Sequence, residues 1–126
     1  MIPSNSLLDG ILHMAKKNPL LISPPYQVDQ ALKRLGANLR TARLRRKLSL
    51  EDVAQKIGIQ RQTVSDAEKG NPSTSAAVYM ALLWTYDLIG QMEDVAHPLK
   101  DVEGQALAAS REPERARQSQ DIDNDF

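Results

Sequence analysis

Residues 49–70, SLEDVAQKIGIQRQTVSDAEKG, decide the fold of this chain. Ser49 is an N-cap residue type whose hydroxyl accepts from an otherwise unpaired backbone N–H, and Asp52 stands three residues later in an aspartate version of the capping box. A helix therefore begins here. Val53, Ala54 and Ile57 supply its buried stripe, and Gly58 sits where the chain leaves through a left-handed conformation that glycine adopts without strain. Ile59 and Val64 flank Gln60 with the spacing of a hydrophobic staple, which sets the entry of a following helix. That helix is expected to run to Glu68 or Lys69, with Gly70 as its stop.

The 3.6-residue period puts Val64, Ala67 and Glu68 on one side of this last helix and Arg61, Gln62, Ser65, Asp66 and Lys69 on the other. The second side has no apolar anchor. Arginine and glutamine make bidentate hydrogen bonds to guanine and adenine edges, aspartate accepts from cytosine N4, and lysine meets phosphate. An isolated polar helix is more often a plain solvated face. The whole pattern of two short helices and a tight turn outweighs that reading and points to a helix-turn-helix acting on DNA.

The chain resembles the lambda-repressor and Cro-like (XRE-type) helix-turn-helix family, whose pattern it matches at Leu39, Arg43, Leu48, Ser49, Val53, Ala54, Ile57, Gly58, Ile59, Thr63, Val64, Ser65, Glu68 and Gly70. The resemblance covers residues 32 to about 90. It implies an all-α, five-helix domain whose recognition helix brings Arg61, Gln62, Ser65 and Asp66 nearest base edges. It also implies an ion pair between Arg43 and Glu68. The residues agree independently, because Glu68 falls on the inner side of its helix, where an unpaired carboxylate would be costly. Phosphate contacts are expected from Arg43, Ser49, Lys69 and Asn71. Two positions depart from the pattern: Leu50 replaces a glutamine that often braces phosphate, and Gln60 replaces a capping serine or threonine. Asp66 on the DNA-facing side either reads a cytosine or repels the backbone.

The net charge of zero hides a strong segregation. Residues 32–61 carry nine basic side chains against two acidic ones, whereas residues 62–126 carry five basic against twelve acidic, giving +7 and −7. A basic stripe is the electrostatic footprint of phosphate binding even at an ordinary pI. The acidic half implies a second partner, or self-screening that restrains non-specific DNA binding.

With 126 residues there is room for one small domain and tails. The absence of cysteine excludes disulfides and thiolate metal sites, and His13 and His97 are too isolated for a metal cluster. No metal or cofactor is expected. No apolar run has membrane length and the N-terminus lacks the basic start of a signal peptide, so a soluble, cytoplasmic bacterial protein is expected, associated with the nucleoid when on DNA. Neither G-x-x-x-x-G-K-[ST], H-E-x-x-H nor G-x-S-x-G occurs, and an enzyme is not expected.

Residues 1–27 read as an N-terminal extension, partly helical through Leu7, Leu8, Ile11, Leu12 and Ala15, with Asn18-Pro19 and Pro24-Pro25 as breaks. The domain proper is expected over 28–97. Its first helix is read at about 29–46 on the stripe Leu32, Leu35, Leu39 and Ala42. Residues 76–89, AAVYMALLWTYDLI, are apolar on nearly every side. One small domain cannot bury such a helix all round, so Tyr79, Met80, Leu83, Trp84 and Tyr86 are expected to meet a dimer mate or another partner. A homodimer on an inverted-repeat operator follows, because one recognition helix reads few base pairs. A further short helix with Met92 and Val95 is expected between Gly90 and Pro98. Residues 98–126 read as a connection and a flexible acidic tail, ending REPERARQSQDIDNDF.

Residues 76–117 resemble the HipB-like antitoxins, in an alanine- and leucine-rich helix with tryptophan, the connection HPLKDVEG and the segment SREPERARQ. That resemblance implies an autoregulating repressor encoded beside a HipA-like serine/threonine kinase toxin. The leading alternatives are a plain phage-type repressor and a protein-binding adaptor that neutralises its partner without strong DNA reading. Leu50 and Asp66 favour the adaptor, and the +7 segment opposes it.

Overall fold

Prolines set the entry to the domain in the computed structural model, which describes residues 18–111. Asn18 caps a single helical turn, α1 (Pro19–Ile22), by accepting from Leu20 N–H at 3.0 Å, with Pro19 in the first turn where its missing N–H is not needed. The expected break at Asn18-Pro19 is thus a start. Pro25 is the N-cap of α2 (Tyr26–Arg45), so this helix begins before the expected residue 29. Its backbone φ of −52° already suits a helix, and Asp29 N–H closes the first turn on the Pro25 carbonyl at 3.0 Å.

The decisive segment folds as read. Ser49 caps α3 (Leu50–Ile57) with both hydrogen bonds of the capping box, and Gly58 ends it in the left-handed region at φ 83°. Next come α4 (Arg61–Glu68) and α5 (Ala76–Thr85), the latter capped by Ser75. The described residues contain no strand.

Leu39, Val53, Val64, Leu82 and Tyr86 are the large side chains fully buried at the centre. α4 packs against α2, α3 and α5, and α3 also packs against α5. Close approach of α2 and α4 depends on Gly36, where a Cβ would lie 2.5 Å from the Ala67 carbonyl oxygen and 2.6 Å from that of Glu68.

α5 corrects the expected partner surface. Tyr79, Leu83 and Tyr86 are 4%, 6% and 1% exposed and belong to the monomer core. The reason is that α5 touches both helices of the helix-turn-helix and is covered on more than one side. Tyr79 also donates its hydroxyl to the Asn71 carbonyl at 2.8 Å, tying α5 to the loop after α4. Met80 is half-buried, and Trp84, at 60% exposure, stays on the surface. The helix stops at Thr85 because Asp87 turns to φ 58°.

A first unit ends at Ile89 and a second starts at Gly90. The short helix expected between Gly90 and Pro98 is a 3-10 helix, Ile89–Asp94, which includes Met92 but not Val95. A second 3-10 helix, Pro98–Lys100, is capped by His97, whose Nδ1 accepts from Leu99 N–H at 3.1 Å. Residues 102–111 form α6, a helix the sequence reading did not assign. Asp101 starts it by accepting from Gly104 N–H at 2.9 Å. The expected helical repeat before Asn18 and the tail from residue 112 lie outside the described residues.

No described helix is long and apolar enough to cross a membrane. Among the described residues there is no cluster of three or more metal-ligating side chains.

Candidate nucleic-acid interface

The outer face of α4 is positioned by its inner one. Val64 and Ala67 have no exposed surface, which pins the helix roll and turns Arg61 and Gln62 fully outward, with Ser65 and Asp66 half-exposed beside them. Lys69, the C-cap residue, is also exposed. These residues share the exposed face of α4, as the period required.

Two of them are joined. Gln62 Nε2 donates to Asp66 Oδ1 at 2.9 Å across one helical turn. They are thus not the independent base readers expected, and their i, i+4 spacing is the signal for such a pair.

Arg43 and Glu68 form the expected ion pair, with Nε donating to Oε2 at 2.7 Å and Nη2 to Oε1 at 3.0 Å. Nη1 donates to the Leu48 carbonyl at 2.9 Å, so all three guanidinium nitrogens are engaged. The Glu68 hydrogen bond raises the Arg43 pKa above its ordinary value and outweighs the opposing effect of burial. Arg43 therefore braces the fold: its side chain is 9% exposed and three of its five N–H donors are taken, which leaves little of it for the expected phosphate contact.

A shallow groove beside α4 is lined by Arg40, Arg43, Leu50, Ser65, Glu68 and Lys69. Arg40 and Lys69 are the exposed cations on its rim. Arg40 was not singled out from the sequence, yet it lies one turn before Arg43 on α2 and presents the charge that Arg43 cannot. Leu50, where a polar side chain is common, gives the groove an apolar wall.

Ser49 and Asn71 sit at the edges. Ser49 Oγ accepts from Asp52 N–H at 3.0 Å, and Asp52 Oδ2 accepts from Ser49 N–H at 2.9 Å. These bonds, the one from the Ser49 backbone first, hold the Asp52 carboxyl below its ordinary pKa of 3.8. Asn71 Oδ1 accepts from Ser73 N–H at 2.8 Å, so its oxygen serves the loop and only its amide N–H groups point to other uses.

Not every cation of the basic segment is available to an anion. Arg46 donates to the Ala42 and Tyr86 carbonyls at 2.9 Å and lies 5.5 Å from the centre of the Tyr86 ring. Lys33 pairs with Asp29 at 2.9 Å, and Lys56 lies 5.8 Å from the centre of the Trp84 ring. Among the described residues, Arg34, Arg40, Arg45, Lys47, Arg61 and Lys69 make no ion pair, and of these Arg40, Arg61 and Lys69 lie on or beside α4.

Compared with known proteins, residues 34–95 match the model of a helix-turn-helix domain family. No curated protein and no solved structure matches the chain.

Proposed function

Because residues 34–95 carry a helix-turn-helix domain, we propose that this protein is a sequence-specific transcriptional repressor that lays α4 in the major groove of its operator. The observation that carries this reading is the division of α4: Val64 and Ala67 are wholly buried while Arg61, Gln62 and Lys69 are exposed on a face rimmed by Arg40. Arg61 and Gln62 in the first turn read base edges, and Arg40, Ser49, Lys69 and Asn71 contact phosphate.

Two copies bind an inverted repeat. The exposed Trp84 with half-buried Met80, one turn apart on α5, is the surface that supports pairing. Likeness of residues 76–117 to the HipB-like antitoxins supports a finer role, neutralising a HipA-like serine/threonine kinase toxin and repressing the shared operon in a bacterial cytoplasm. Exposed Val95, Leu99, Val102 and Leu107 in the second unit also favour a protein partner.

A gel shift of the full chain with DNA from upstream of its own gene tests the repressor role. Retention of that DNA over a scrambled duplex is expected, and equal affinity for both rejects it. Co-purification with a kinase-like neighbour tests the antitoxin role; its absence leaves a plain repressor.

A further inference from the structure

Gln62 and Asp66 present one hydrogen-bonding unit to the groove instead of two. A glutamine carboxamide has one acceptor oxygen and two N–H donors. Left free, its end can turn to offer either a donor beside an acceptor or the donors alone. Here Nε2 donates one hydrogen to Asp66 Oδ1 at 2.9 Å, and both side chains emerge from the exposed side of α4. What remains at the tip is Oε1 and a single N–H.

We propose that Asp66 reads no base itself and instead locks the Gln62 carboxamide for adenine, so that the pair reads one A·T step in each half-site. This rests on the DNA-reading role of α4 proposed above. Adenine shows the major groove a donor, N6–H, beside an acceptor, N7, and the held carboxamide is complementary to both. Guanine shows two acceptors, N7 and O6, so Oε1 would face a like atom and the only donor that could replace it is committed to Asp66. Asp66 is thus a positioning residue. Its carboxylate also opposes nearby phosphates, which lowers affinity for all DNA while sharpening the choice of base.

The experiment is selection from a randomised duplex library by the full chain, with Asp66→Ala, Asp66→Asn and Gln62→Ala run in parallel and their helicity checked by circular dichroism. Wild type is expected to select adenine over guanine at one position per half-site. Asp66→Ala is expected to lose about tenfold of that preference while the other positions persist. Asp66→Asn keeps an acceptor for Nε2, so it should retain adenine and bind every duplex more tightly. Gln62→Ala should erase the position. Unchanged adenine preference in Asp66→Ala overturns the proposal, as does a wild-type cytosine preference that disappears in Asp66→Ala. Wild-type binding with no selected sequence overturns the DNA-reading role itself, an outcome visible without any variant.

Discussion

Arg43 on α2 and Glu68 at the end of α4 meet through two hydrogen bonds, at 2.7 and 3.0 Å, with side-chain exposures of 9% and 6%. The pair holds α4 against α2, the longest helix among the described residues. Removing one member strands the other's charge away from water. Glu68→Ala should cost about 3 to 5 kcal/mol. Thermal melting of the full chain checks it: a fall in Tm of more than about 10 °C is expected for a domain of this size. A melt at the wild-type temperature would show that the pair contributes nothing.

Stability should also depend on pH through Asp52. Its folded pKa is depressed by the Ser49 hydrogen bonds below 3.8. A depressed carboxylate stabilises the fold above its unfolded value, and that contribution fades as the pH falls through the folded one. Urea titrations between pH 6 and 2 should therefore show an acid loss that is smaller in Asp52→Asn, whose stability is already lower at neutral pH. At the alkaline end, burial pushes Tyr86 up to about 12. A raised phenol favours the fold until deprotonation, so this contribution is complete below about pH 10 and lost toward pH 12.

Gly36→Ala tests the contact of α2 with α4. Alanine gains about 1 kcal/mol of helix propensity over glycine. Against that, the new Cβ would stand 2.5 Å and 2.6 Å from two backbone carbonyl oxygens, and a backbone cannot step aside as a side chain does. Overpacking of this kind costs about 1 to 3 kcal/mol, and a backbone clash belongs at the upper end. The expected net effect is destabilisation, read as a lower urea midpoint; a raised midpoint would contradict the close approach.

Arg40→Ala and Lys69→Ala should each weaken binding to all duplexes alike. Each lost phosphate contact is expected to reduce the slope of log K against log salt by about 0.9. Arg43→Lys, in contrast, should lower stability with little change in that slope, because the side chain is 9% exposed and is held by Glu68 and Leu48. Salt-dependent titrations separate the two behaviours.

Trp84→Ser addresses pairing. At 60% exposure the indole adds little to the monomer core, so the melting temperature should barely move at low concentration. Sedimentation should show a weakened dimer if this face joins two copies. Sedimentation identical to wild type would place any pairing contact outside Trp84.

The local elements were legible because they depend on neighbours in the chain. Ser49 with Asp52, Gly58 at φ 83° and the stripe of Val53, Ala54, Val64 and Ala67 all follow from spacing and residue type. The Arg43–Glu68 pair was legible too, through a family pattern and the cost of a lone inner carboxylate. The Gln62–Asp66 bond follows from the same local rules, since residues four apart on a helix face each other.

α5 shows where such reasoning ends. Its apolar residues run around the helix, so periodicity gives no inner face, and composition cannot say that Tyr79, Leu83 and Tyr86 turn inward while Trp84 turns out. Gly36 carries no sequence signal that α4 will pass over it. Sequence by itself determined the helix-turn-helix, its caps and its polar face, since these need only contacts within a few residues. Tertiary structure alone decided which apolar and cationic side chains remain free, because burial depends on what distant helices cover.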